Sequence, residues 1–172
     1  MEHNHNMKVH TAEPKGIKKL APLAAMVLVV IGLTILFNEI CPPEAPMPGM
    51  RNFMGSFFLV FGLLKVIRLK AFAMAYKKYD LLAMRSGLYA QVYPFLELAL
   101  AAAFLLNFQV LVASWVTLVV MLIGALGVYL KLRKKEEIPC ACLGTVFKVP
   151  MTWVTLVEDL LMAGMALYMI IG

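Results

Sequence analysis

The chain has 172 residues, of which 62% are hydrophobic and only 15% charged, with a net charge of +6 and a mean hydropathy of +0.84. A water-soluble domain of this length is close to half apolar, and here the excess comes in long blocks. That pattern excludes an ordinary soluble domain. It points to an all-α polytopic membrane bundle whose backbone polar groups are satisfied inside helices.

In chain order, the first 19 residues are polar and read as a disordered cytoplasmic tail. His3, His5 and His10 lie in it, and a His-x-His pair is able to bind a metal ion. Leu20 to Phe37 is an uncharged run of helical bilayer length, the first of five expected spans. It is longer than a signal-peptide core and no small-x-small cleavage site follows it, so it reads as uncleaved. Ile40 stands where a lipoprotein box needs a small residue before Cys41. The loop around Cys41 is stiffened by Pro42, Pro43, Pro46 and Pro48.

Asn52 to Leu69 is the second expected span, with Lys65 and Arg68 near its end. The linker after it repeats Leu69, Phe72, Ala73 and Tyr76 at helical spacing, with Lys70, Lys77 and Lys78 elsewhere. This predicts a short helix lying in the membrane interface, and Tyr79, Tyr89 and Tyr93 suit an aromatic belt. Gly87 to Leu106 is the third span, interrupted by Glu97. Phe108 to Leu130 is the fourth, and the tight turn at Asn107 predicts an antiparallel hairpin. Val149 to Ile171 is the fifth and carries Glu158 and Asp159.

Basic residues alternate with these spans. Lys8, Lys15, Lys18 and Lys19 precede the first, six more (Lys65, Arg68, Lys70, Lys77, Lys78 and Arg85) lie at the end of the second or in the linker after it, and five follow the fourth; Arg51 alone falls on the opposite side. The positive-inside rule then puts the N-terminus in the cytoplasm and the C-terminus outside. Basic residues arranged this way are topology signals and contacts for anionic lipid, and they argue against nucleic acid as a partner.

Carboxylates within spans are costly if they face lipid, so Glu97, Glu158 and Asp159 are expected to face the bundle interior. Lys65 either snorkels to the inner headgroups or pairs with Glu97 and with one of Glu158 and Asp159. Their roles stay open between structural helix-helix contacts and a proton or ion relay. Glu158 and Asp159 are neighbours, about 100° apart on a helix, so only one is expected to point straight inward.

The stretch "KKEEIPCACLGTVFKVP", residues 134–150, holds two of the three cysteines. A Cys-x-Cys pair, Cys140 and Cys142, has three uses: binding a soft metal such as Cu(I), Zn(II) or Hg(II), exchange with a disulfide, or none. A disulfide closed over one residue is strained and easily reduced. The expected topology puts the pair at the cytoplasmic face and Cys41 across the bilayer from it. No phosphate loop, zinc-protease motif or nucleophile-base set appears, so a free-standing hydrolase or transferase is not expected.

Taken together, "FFLVFGLLKVIRLKAFAMAYKKYDLL", "YPFLELALAAAFLL" and "CACLGTVFKVPMTWVTLVEDLLM" resemble the MauE/DoxX-like family of redox-associated integral membrane proteins. Lys65, Phe72, Tyr79, Pro94, Glu97, Cys140, Cys142 and Gly144 match its pattern in order, over about residues 52–171. The resemblance implies a four-helix bundle in a bacterial cytoplasmic membrane, to which residues 20–37 add a helix. It also implies an accessory role in thiol/disulfide redox chemistry, with Cys140 and Cys142 as the exchanging pair and Lys65, Glu97, Glu158 and Asp159 as buried polar partners. The family's namesake is required for making methylamine dehydrogenase, a disulfide-rich protein outside that membrane. The loop "ACLGTV-KVP" is similar to that of relatives found with heavy-metal handling proteins, which keeps a Cu or Hg transport or resistance role as the alternative. The partners implied are the lipid bilayer and a thioredoxin-like or heavy-metal-associated protein; no cofactor is assigned. One tension remains: outer-face disulfide chemistry wants thiols outside, whereas the charge pattern puts this pair inside.

Overall fold

The computed structural model describes residues 17–40, 47–134 and 153–172, with side chains from 24 and from 156 in the first and last of these segments. The tail histidines, Cys41, and the Cys140–Cys142 pair lie outside the described residues. Within them the chain forms six α-helices and no strand: α1 (Ile17–Ile40), α2 (Pro48–Ile67), α3 (Leu69–Tyr76), α4 (Gly87–Leu105), α5 (Val110–Arg133) and α6 (Trp153–Ile171). By length and composition α2, α4 and α5 are each able to cross a membrane. The Ala24–Ile40 stretch of α1 is also apolar, and α6 is 19 residues long.

These bounds follow from local chemistry. Pro48 occupies the first turn of α2, where its missing N–H costs nothing. Ser86 caps α4, its hydroxyl accepting from the Tyr89 N–H at 3.3 Å. The turn between α4 and α5 puts Asn107 and Gln109 at φ of 53° and 48°, and the Phe108 N–H closes it onto the Ala103 carbonyl at 2.8 Å. Asn tolerates that left-handed conformation better than most residues, which makes the hairpin expected at Asn107 a sharp one.

Two antiparallel helix pairs build the body, α2 with α4 and α5 with α6. In the first, Gly55 lies against Leu105 and Gly62 against Leu98. A Cβ on Gly62 would come within 2.9 Å of the Leu98 side chain, so the absent side chain is what lets the backbones approach. Phe58 stacks on Phe104 between these helices, in a core shared with Met54, Met121 and Met162. Helix α1 packs on α2, where Val30 meets Phe61. The Asn52 side-chain amide of α2 donates to Asn38 Oδ1 of α1 at 2.7 Å, and buried Arg51 donates to Asn52 Oδ1 at 3.2 Å.

The helix expected between the second and third spans is present as α3, but its apolar face does not lie on lipid. Phe72, Ala73, Ala75 and Tyr76 are buried against the bundle, while Lys70 is exposed. The tyrosines differ from a belt in the same way. Tyr79 and Tyr93 are buried, and the Tyr76 ring centre lies 4.6 Å from that of Tyr93, tilted to it, and 5.5 Å from that of Tyr79, edge-on to it. An interface aromatic and a bundle-facing one have the same composition, and only the tertiary fold separates them.

Candidate functional site

The polar residues of the spans converge where α2, α3, α4, α5 and α6 meet. Lys65 stands in the last turn of α2 and Glu97 midway along α4. Both are nearly inaccessible, and the Lys65 ammonium forms a direct ion pair with Glu97 Oε1. The close approach at Gly62, whose Cβ position faces Leu98 and Glu97, brings the two helices near enough for this contact. Lys65 therefore points inward and does not snorkel.

Aromatic rings complete the surroundings of the ammonium. Its Nζ is 5.0 Å from the centre of the Tyr93 ring and 5.6 Å from that of Phe72. Both are within cation–π range and stabilise the charge in a desolvated setting. The α3 helix supplies Phe72 and Tyr76, which is why burying its apolar face matters to the site. Asp80 holds the end of that segment. Its carboxylate accepts from the Leu82 and Ala83 N–H groups at 3.0 and 2.8 Å and from the Tyr76 hydroxyl at 2.9 Å. Burial, and then the neighbouring Tyr93 and Asp80, hold the Tyr76 hydroxyl well above its ordinary pKa.

A cavity of about 40 Å³ lies against this pair. Lys65, Glu97, Glu158 and Asp159 all line it, together with the aromatic residues of α3 and α4. Glu158 and Asp159 are both half-buried on its wall, whereas only one of them was expected to face inward. Asp159 reaches α5 at Gly124, where its Oδ2 would be 3.6 Å from an added Cβ. The wall straddles the line between two adjacent positions of α6, so a 100° separation still lets both side chains reach it.

The chemistry available follows from this wall. One lysine faces three carboxyl groups, and Glu97 Oε2 is buried with no hydrogen-bond partner among the described residues. A volume of about 40 Å³ has room for about three water molecules, which polar walls of this kind hold well. Buried carboxyl groups side by side are chemically able to hold and pass a proton. Among the described residues no group of three or more His, Cys, Asp or Glu side chains is arranged to hold a metal ion.

Phe72, Tyr76, Tyr93 and Asp80 carry much of this geometry, although charge and depth alone did not single them out. Asp80 was hidden because it sits in a polar linker, where an acidic residue looks solvated. The signal that was available is Asp followed by two backbone donors at positions two and three, an Asx-type turn. A second cavity of about 340 Å³ adjoins the first and shares Phe57 and Glu158 with it.

A comparison with curated proteins and one with solved structures each find no match. A family model described as methylamine utilisation protein MauE matches residues 44–172, which take in α2 to α6 and leave out α1. On that match, over about three-quarters of the chain, and with the helical membrane architecture described above, the chain belongs to the MauE family.

Proposed function

We propose that this chain is an accessory protein of the bacterial cytoplasmic membrane that serves thiol/disulfide exchange, with Cys140 and Cys142 as the exchanging pair. The observation that carries the reading is the shared chamber of Lys65, Glu97, Glu158 and Asp159. It is lined by Val128 near the C-terminal end of α5 and by Glu158 and Asp159 near the N-terminal end of α6, the two ends that the segment 135–152 joins in the chain, and that segment bears both cysteines. Thiol–disulfide exchange needs a thiolate to form and a leaving thiolate to be reprotonated. A buried set of carboxyl groups beside an ammonium supplies a place to put and take those protons.

The reading includes five membrane-spanning helices, α1, α2, α4, α5 and α6, with the N-terminus in the cytoplasm. The distribution of 15 basic residues to one side and Arg51 to the other supports that orientation. The partner is then a thioredoxin-like protein able to form a mixed disulfide, and the family description, methylamine utilisation, supports amine metabolism as the setting. The soft-metal reading uses the same two thiols to pass Cu(I) or Hg(II) into the chamber.

Trapping separates the two. A Cys142→Ser variant is expected to accumulate a reductant-sensitive mixed disulfide through Cys140, absent from the Cys140→Ser, Cys142→Ser double variant. No trapped species, with stoichiometric Cu(I) binding by the reduced protein that the double variant loses, would replace exchange with metal transfer.

A further inference from the structure

The chamber beside Lys65 and Glu97 joins two kinds of wall. Phe57, Phe61, Phe72, Tyr76, Tyr79 and Tyr93 supply rings, and Glu97, Glu158 and Asp159 supply carboxyl groups. Among the described residues Lys65 is the one cation that lines it, and its ammonium is paired with Glu97 Oε1. Glu97 Oε2 is buried and has no hydrogen-bond partner among the described residues. The Lys65 ammonium shows what the rings do: it sits 5.0 Å from the centre of Tyr93 and 5.6 Å from that of Phe72, where ring faces stabilise a desolvated cation. Such rings do little for a proton held on a carboxyl group. They suit a second ammonium.

We infer that this chamber binds a small primary alkylammonium ion, held by Glu97 Oε2 and the Glu158 and Asp159 carboxyl groups, with its carbon atoms against the rings. Three observations select that class. The cavity of about 40 Å³ has room for about three waters, which is the room that an ion of about three heavy atoms needs. A primary ammonium carries three N–H donors and no acceptor, as a lysine head does, and three carboxyl groups face it. A hard metal ion takes a shell of oxygen ligands, whereas here no group of three or more His, Cys, Asp or Glu among the described residues is arranged to hold one. The chamber also has a way in. Phe57 and Glu158 are shared with the cleft of about 340 Å³ between α1, α2 and α6, where Val157 is 58% and Val27 38% exposed. The inference uses the chamber of the proposed function but not its cysteines.

The test uses the full chain in lipid nanodiscs, in the Cys140→Ser, Cys142→Ser background, so that its outcome is separate from that of the thiol reading. The probe is radiolabelled ethylammonium, with unlabelled ethylammonium, sodium and tetrabutylammonium as competitors. The expected result is saturable binding that unlabelled ethylammonium displaces and the other two do not, with the probe's methyl proton resonance moved upfield by the rings. Glu158→Gln keeps the shape of the wall and is expected to weaken binding by about tenfold. An added Cβ on Gly124 meets nothing nearer than Asp159 Oδ2 at 3.6 Å and so takes space from the chamber. Gly124→Ala is therefore expected to weaken binding by about tenfold or more with the helical melting curve kept. No saturable binding overturns the inference. So does equal displacement by sodium, which would make this a site for any small cation, and so does displacement by tetrabutylammonium or unchanged binding in both variants, which would put the ion outside the chamber.

Discussion

Lys65 and Glu97, 32 positions apart in the chain, meet as a buried ion pair between α2 and α4, with the Tyr93 and Phe72 rings around the ammonium. Both side chains are nearly inaccessible, so each charge depends on the other. Removing one partner of such a pair typically costs about 3 kcal/mol or more, because the remaining charge is left uncompensated. Lys65→Met is therefore expected to lower stability in detergent by about that amount, and Lys65→Met with Glu97→Leu to recover most of it. Helicity followed through a denaturant titration checks both; a double variant no more stable than the single one would contradict the pairing.

Gly127 and Gly124 lie one turn apart on α5 and make opposite predictions. A Cβ on Gly127 would come within 2.4 Å of the Tyr79 carbonyl oxygen, part of a backbone held by the Asp80 turn. On Gly124 the nearest group is Asp159 Oδ2 at 3.6 Å, an ordinary contact. Gly127→Ala is expected to destabilise by about 1–3 kcal/mol, as overpacking does. Gly124→Ala is expected to be neutral or to stabilise by up to about 1 kcal/mol through helix propensity. Melting temperatures of the two variants measured side by side give the comparison.

Tyr76 sets a pH dependence. Its hydroxyl titrates above its ordinary value in the folded chain, chiefly because it is buried. A group whose folded pKa is raised contributes stability that is complete below its unfolded pKa, about 10 for tyrosine, and is lost as pH climbs from there toward the folded value. Stability is thus expected to fall above about pH 10, with a shallower decline in Tyr76→Phe. Ultraviolet absorbance of tyrosinate, recorded with helicity through an alkaline titration, reads both quantities together.

Asp80 anchors the other end of the aromatic wall. Asp80→Ala removes the acceptor for the Leu82 and Ala83 N–H groups and for the Tyr76 hydroxyl. Loss of a turn cap of this kind costs about 1–2 kcal/mol, and the buried donors left behind add to it. Asp80→Asn keeps an acceptor oxygen and is expected to lose less. Amide hydrogen exchange of residues 76–86 is the direct readout, with faster exchange expected in Asp80→Ala than in Asp80→Asn.

The helices were legible in the sequence because lipid leaves a segment few options. An uncharged run of bilayer length has to be helical, and Asn107 between two such runs has to be a turn. Glu97 and the Glu158–Asp159 pair were legible as facing the interior for the same reason, since charge at that depth is too costly against lipid, whereas Lys65 stayed open between snorkelling and pairing and only one of the two α6 carboxylates was expected straight inward. What stayed hidden depends on which neighbour a residue meets. Phe72 and Tyr76 have the composition of an interface helix, and only the packing of α3 on α4 turns them inward. The shared wall of Glu158 and Asp159 needed the position of α5, which no local pattern encodes. The cleft beside α1 required knowing that α1 packs on α2 while leaving a gap before α6.

The central claim is that Cys140 and Cys142 form an exchanging pair on the cytoplasmic side. Labelling with a membrane-impermeant maleimide tests it most directly, in intact and lysed cells, with and without prior reduction, on variants that keep only Cys41 or only the pair. The account predicts that the pair is shielded in intact cells and labels after lysis only when reduced first, while Cys41 labels from outside. Labelling of the pair in intact cells would contradict the orientation, and labelling after lysis without reduction would contradict the redox role.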